Sequence, residues 1–300
     1  MKNAINYYYN LLPNNIHQRN KEFFFNVGVD NFILKPINKE LNDINNLYEI
    51  TLNLLRQNVY THQFIFNKNN NLITLINEKW YVVLKVYITN KRKIVVNDIV
   101  FFSQIIINMD SLKIKRDSWY VLWSKKIDYL EYQVSQLGKK FPLIRESFSY
   151  FVGLSENAIS LVRDINNIDL KVAHKRIIKS NSLFDLYDPF NFVIDTRIRD
   201  ICEYFKSCFF EGDDVFTDIK LYVESSQLTV NECLLFLGRM FYPTFYFDIY
   251  EDILLGQNKE KQLLKIINRI SDYEILLQEI YSYLKRLMMI PEIEWIASLR

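Results

Sequence analysis

The side chains best suited to chemistry gather in one stretch, Val172–Lys206, which reads VAHKRIIKSNSLFDLYDPFNFVIDTRIRDICEYFK. Short apolar runs, several aspartates and a proline interrupt an otherwise helical text there, and such loops, carried by rigid elements, are where reactive groups are usually delivered. His174 reads as the relic of a catalytic loop, with a loop histidine bonded to backbone as the alternative; no base is supplied beside it, so it is not expected to be a catalyst. Arg176 carries a guanidinium that cannot accept a proton at any physiological pH. It could bind a phosphate or an acidic partner. The expected arrangement is an ion pair with Asp188 or Asp195, because an unpaired buried charge is costly. Asp188-Pro189 is a turn signal, and Arg199-Asp200 is an acidic helix start of the kind the helix dipole favours. Other constellations are missing: the sequence has no GxSxG elbow, no HExxH and no P-loop. Three scattered histidines exclude a His-rich metal site. Cys202, Cys208 and Cys233 have no CxxC spacing and read as buried small hydrophobes rather than zinc ligands or disulfides.

The elements that must position these groups fall into two texts. Residues 1–90 are mixed. A short helix is expected over 3–11, strands over Glu22–Val27 and Asn31–Ile37, and a helix over Glu40–Gln57, where Leu41, Ile44, Leu47, Leu54 and Leu55 recur at helical spacing. Strands follow at Gln63–Asn67 and Leu72–Ile76, joined by an Asn-rich turn, and at Trp80–Tyr87. Thr89–Lys93 (TNKRK) is a polar hinge. Beyond it, residues 91–300 are helical. Helices are expected over Asn97–Met109, Asp117–Leu137 with an apolar stripe from Trp119 to Leu137, and from Pro142 to Ile165. After the strand-like interruption they resume at Arg197–Phe210, Asp214–Ser225, Thr229–Leu255 and Lys261–Met289. The aromatic run Phe241–Tyr250 reads as core.

Composition excludes several classes. With 37 basic and 35 acidic residues the net charge is +2, too small to steer a polyanion, so nucleic-acid binding is not expected. The N-terminus lacks the apolar core and small-residue cleavage site of a secretory signal. No run of about 18 apolar residues stands ready to span a bilayer. Cysteine usage fits a reducing compartment. The richness in Asn, as in NKNNN near residue 70, suggests a biased genome rather than a function.

Taken with the N-terminal part, the interruption resembles the aminoglycoside phosphotransferase and choline kinase-like superfamily. That group has a His-x-Asp-x-x-x-x-Asn loop, in which the Asp accepts the substrate's proton and the Asn holds a metal, followed by a strand ending in a second metal-binding Asp. His174 and Asn181 stand at the matching spacing, and Arg176 occupies the Asp position. The resemblance puts the second metal-binding Asp on Asp188. It makes Lys35, in FILK, the strand lysine for nucleotide phosphates and Glu49 its helix partner; the two could equally form a strand–helix salt bridge. Lys35 is preceded by no Gly-rich loop, only by Gly28. A narrower resemblance is to spore-coat kinase-like proteins of endospore-forming bacteria, of the CotS and YutH type. It rests on His-x-Arg in place of His-x-Asp, on Asp195…Arg199-Asp200-Ile201-Cys202-Glu203-Tyr204, and on Gly238–Phe247.

The expected fold is therefore α+β: a protein-kinase-like, two-lobe arrangement with a small antiparallel-sheet lobe over 1–90 and a larger helical lobe over 91–300. The resemblance implies a catalytically degenerate kinase-like protein, a structural or scaffold component of the spore coat made in the mother-cell cytoplasm, with coat or other proteins as partners. On this reading Lys35, Glu49, Asn181 and Asp188 are vestiges of the nucleotide and metal sites, and no cofactor is needed. The alternative is a small-molecule phosphotransferase that uses ATP and Mg²⁺, with Asp185 or Asp195 as a rerouted base.

Overall fold

The computed structural model describes residues 1–38, 40–106, 118–166 and 168–297. In chain order the elements begin with α1 (Lys2–Tyr9), β1 (Ile16–Arg19), β2 (Glu22–Val27), β3 (Asp30–Pro36), α2 (Leu41–Arg56), β4 (Gln63–Ile65), β5 (Thr74–Ile76), β6 (Lys79–Val86) and α3 (Val96–Ser103). There follow α4 (Trp119–Leu137), α5 (Pro142–Val162), β7 (Leu170–His174), α6 (Leu183–Leu186), a 3-10 turn (Pro189–Asn191) and β8 (Phe192–Thr196). The chain ends with α7 (Ile198–Phe210), α8 (Phe216–Ser226), α9 (Val230–Phe241), α10 (Thr244–Leu254), α11 (Leu264–Ile267), α12 (Ile270–Leu287) and α13 (Glu294–Ala297). The chain divides into two compact units. One comprises Met1–Lys115, Leu170–Lys175 and Ser180–Asp195; the other comprises Arg116–Asp169, Arg176–Lys179 and Thr196–Arg300. Among the described residues no helix is long and apolar enough to cross a membrane.

The first unit is built on an antiparallel sheet of order β1-β2-β3-β6-β4, with β5 also paired to β6. Successive side chains in a strand point to opposite faces. Phe25, Phe32, Leu34, Tyr81 and Val83 therefore share one face, where they form a core with Ile5 and Tyr9 of α1. Glu22, Phe24, Ile33 and Lys35 belong to the other. The tight turns rely on residues with φ above zero. Gly28 (φ 58) turns β2 into β3, Asn20 (φ 57) turns β1 into β2, and Asn77 (φ 48) with Glu78 (φ 63) turns β5 into β6. Asn10, Asn58 and Asn70 also take left-handed backbone, so asparagine does here much of what glycine does elsewhere. β1 was not expected from sequence: Ile-His-Gln-Arg has a single apolar residue, and the strand is an exposed edge.

The second unit is helical. Helix α5 packs on α4 and α9, and α7 on α9. The close approach of α9 to α5 requires Gly238, since a β-carbon there would lie 2.6 Å from Val162 Cγ1 and 3.3 Å from the Ala158 carbonyl oxygen. We expect Gly238→Ala to lower stability by about 1–3 kcal/mol, because overpacking outweighs the better helix propensity of alanine. Urea denaturation checks this, and a variant as stable as the parent would contradict it. Two long helices expected from sequence are each broken. Thr229–Leu255 divides at Tyr242-Pro243, because proline has no amide hydrogen to continue the helix. Lys261–Met289 becomes a 3-10 turn (Glu260–Leu263), α11 and α12. The interruption falls at Asn268-Arg269, where the Arg269 side chain is drawn to the Phe209 carbonyl and lies over the Phe209 ring. The aromatic run is core as expected: Phe241, Tyr242, Tyr246, Phe247 and Tyr250 are buried. The three cysteines are free and buried. The helix expected over Asn97–Met109 is shorter, ending at Ser103 with Gln104 as its cap, and residues 107–109 lie outside the described residues.

Candidate functional site

In the first unit, sheet register builds a charged cluster. Phe23 pairs with Leu34 across β2 and β3, so Glu22 lies opposite Lys35 on the same face. The Lys35 ammonium is 2.9 Å from Glu22 Oε1 and 2.5 Å from Asp188 Oδ2. It also lies 5.4 Å from the centre of the Phe190 ring. The Lys35 and Asp188 side chains are only 10% and 7% exposed. Burial alone would pull the lysine pKa down, but the two carboxylates outweigh it and hold the ammonium above its ordinary value. Glu49 is not among the partners of Lys35. It sits on α2 and lines a separate groove with Tyr48 and Trp80, so no Lys35–Glu49 strand–helix salt bridge forms, and Glu22 takes that role.

The loop from β7 to β8 is held by its polar groups. His174 is buried, one ring nitrogen is 2.8 Å from the Leu186 carbonyl, and the ring packs against Phe102 and Phe192. Asp185 accepts from the Ser182 amide and hydroxyl in a capping box that starts α6. Asp188 Oδ1 accepts from the Phe190 amide at the start of the 3-10 turn, so Asp188 caps a turn and does not end a strand. The aspartate near a strand end is Asp195, on β8 and buried. The Asn181 backbone carbonyl accepts from the Ile94 amide. His62 was not singled out by the sequence. It is fully buried, its amide donates to the Tyr187 carbonyl, and its Nε2 is 3.2 Å from the Phe184 carbonyl. Burial lowers its pKa.

In the second unit a buried cluster centres on Glu203. One carboxylate oxygen accepts from Arg239 Nε at 2.7 Å and Lys206 Nζ at 2.8 Å. The other accepts from Arg176 Nη1 at 2.6 Å and the Thr244 hydroxyl at 2.8 Å. Arg176 gives its second terminal nitrogen to Asp248 at 2.6 Å. The sequence led us to expect Asp188 or Asp195, which belong to the first unit; within its own unit the acidic partners of Arg176 are Glu203 and Asp248, carboxylates that α7 and α10 bring to it from residues remote in the chain. Burial would push the Glu203 carboxyl up. The cations, Lys206 first, instead hold it well below its ordinary 4.5. Lys206 is pushed down to about 8 by burial against the pull of Glu203. The helix break explains why a lysine is buried here. Pro243 leaves the Arg239 carbonyl without the amide four residues on, and Lys206 Nζ supplies the donor at 2.9 Å, with the Tyr242 carbonyl at 3.1 Å. Arg239 in turn lies over the Trp119 and Trp123 rings, and Trp123 stacks on Tyr242.

The family model described as "Spore coat putative kinase YutH" matches residues 2–280 of the chain. The chain belongs to the spore coat YutH family. The endospore coat-associated protein YutH of Bacillus subtilis (strain 168) is 28% identical over 210 residues, which is 60% of this chain and 61% of that protein. The match therefore spans about three fifths of that relative's length. Among solved structures, an aminoglycoside phosphotransferase from Alicyclobacillus acidocaldarius superposes with a TM-score of 0.71 at 10% identity, covering 95% of this chain and 97% of its own. Choline kinase LicA from Streptococcus pneumoniae superposes with a TM-score of 0.52 at 13% identity, covering 94% and 98%. At such identities the likeness establishes the fold, which is that of the kinase-like phosphotransferases.

For this YutH family member, the structure brings together Lys35 with Asp188, and Arg176 with residues that only folding could reveal. Glu22 was legible in principle, since the register of β2 on β3 predicts a cross-strand partner for Lys35 once the turn is fixed at Gly28-Val29. Glu203 and Asp248 carried no local signal. They lie 27 and 72 residues from Arg176 along the chain.

Proposed function

We propose that this chain is a non-catalytic member of the kinase fold that serves the spore coat as a structural or scaffold component, with other coat proteins as its partners. The observation that carries the reading is Arg176. It occupies the position that the sequence pattern reserves for a proton-accepting aspartate, and its guanidinium is bonded to Glu203 and Asp248. A permanent cation cannot take a proton from a hydroxyl. A further feature supports it. The Lys35 ammonium already carries two carboxylates, so a triphosphate would meet two anions at the lysine that should receive it. The spore-coat setting rests on the family and on the coat association of the Bacillus subtilis relative.

The test is ATP with Mg²⁺. A ligand held only by the native state raises stability by about 2.7 kcal/mol at a hundred times its dissociation constant. We expect saturating ATP and Mg²⁺ to leave the melting temperature unchanged, and no phosphate to pass from ATP to small hydroxyl compounds. A rise of several degrees, or transfer that Asp188→Ala abolishes, would overturn the proposal.

A further inference from the structure

We propose that the groove between α2 and the loop from β4 to β5 binds a neutral oligosaccharide. A cavity of about 560 Å³ opens there. Its apolar wall includes Leu41, Phe66 and Trp80, which are 50%, 38% and 47% exposed. Tyr48 stands edge-on to Phe66 with ring centres 5.3 Å apart. Single exposed hydrophobics need no explanation, but several gathered on one concave surface point to recognition.

The polar groups in the same groove narrow the ligand. Asn45, Glu49, Asn70 and Asn71 line it, and among the described residues their side-chain amides and carboxylate have no hydrogen-bond or ion-pair partner. An amide offers two donors and an acceptor side by side, and a carboxylate offers acceptors only. Adjacent hydroxyls of a pyranose ring need that mixture, while the ring's C–H faces need flat apolar surfaces such as indole and phenol. Among the described residues no cation lines the groove, so an anionic ligand would find no counter-charge there. One carboxylate is too little to select a polycation. Neutral, polyhydroxylated and partly apolar is the chemistry that remains. A peptide anchored by one large apolar side chain would leave the four polar groups unused.

The rim is also held rigid. Asn67 Oδ1 accepts from the amides of Asn69 and Asn71, its own amide donates to the Asn71 carbonyl, and its Nδ2 donates to Thr74 Oγ1 at 2.9 Å. The NKNNN stretch is thus a clasped loop presenting two free asparagines, not a slack polar tract. Such preordering reduces the entropy lost on binding.

The experiment titrates the full chain with tri-N-acetylchitotriose, cellotriose and maltotriose, with calorimetry and tryptophan fluorescence as readouts. Trp119 and Trp123 are buried and Trp295 is half-buried in the second unit, so a fluorescence change that is lost in Trp80→Ala reports on the half-exposed Trp80. At least one saccharide is expected to bind. Trp80→Ala should weaken it about tenfold or more, which is about 1.4 kcal/mol. Asn45→Ala, at an exposed helix position where alanine favours the fold, should weaken it several-fold without lowering the melting temperature. Absence of binding by all three saccharides up to about 10 mM, well beyond the millimolar range of weak specific ligands, would overturn the proposal. So would unchanged affinity in both variants. Tighter binding of a short Phe- and Trp-containing peptide would overturn it too, by assigning the groove to a protein partner.

Discussion

Glu203→Ala is expected to destabilise the protein by about 3–5 kcal/mol, the range for breaking a buried ion pair by removing one partner. Glu203 is the carboxylate shared by Arg239, Lys206 and Arg176, and Lys206 and Arg239 are almost wholly inaccessible to solvent. Without it, two buried cations face each other with only carbonyl and hydroxyl acceptors, and the donor that closes the end of α9 loses its anchor. Glutamine should rescue little. Its NH₂ would turn a donor toward either the Arg239–Lys206 pair or the Arg176–Thr244 pair, where an acceptor is required. Since whole domains are stable by only about 5–15 kcal/mol, the melting temperature should fall by roughly 10 °C. A drop of less than about 2 °C in either variant would show that the cluster adds little.

The same residue sets an acid limit. The folded-state pKa of Glu203 lies well below its ordinary 4.5. In the range between the two values the unfolded chain holds a proton that the native state does not. Stability from this group is therefore fully present above about 4.5 and is lost progressively as pH falls below it. Denaturant titrations at a series of pH values should show this slope in the parent protein. The slope should be reduced in Glu203→Gln, which has no proton to take up.

Much of the frame was legible because its periodicities are strong. Glu22–Val27 was expected and observed as a strand, and Trp119, Trp123, Ile127 and Leu130 form the buried stripe of α4. What failed to show was of two kinds. β1 has too few apolar residues to announce itself, and it exists because β2 offers it an edge. The break at Pro243 was signalled by the proline but overrun by the apolar periodicity around it, while the break at Asn268-Arg269 carried no such signal and lies where the Arg269 side chain meets the Phe209 carbonyl. The site divides the same way. Residue types could show that position 176 cannot accept a proton. They could not show which carboxylates its guanidinium would meet, because those pairings close over tens of residues. The Asn-rich stretch was read as genomic bias. Among the described residues five of the seven non-glycine positions with positive φ are asparagines, so that composition is also what the turns use.

A double-mutant cycle on Lys35 and Asp188 should show strong coupling. Lys35→Met removes the one ammonium that Asp188 and Glu22 share and leaves the 7% exposed Asp188 carboxylate beside a second anion. The expected loss is about 3–5 kcal/mol. Asp188→Asn should cost less, about 1–2 kcal/mol, because Glu22 remains 2.9 Å from the ammonium and an asparagine oxygen can still accept from the Phe190 amide. If the pair is a structural clasp, the Lys35→Met/Asp188→Asn protein is more stable than Lys35→Met alone, since removing the stranded charge recovers what its burial cost. The coupling energy should then exceed about 1 kcal/mol. Losses that simply add would mean that the two side chains act independently. Lys35 would then be free to leave Asp188 for another anion, and the case that this lysine is occupied by the protein's own carboxylates would fail.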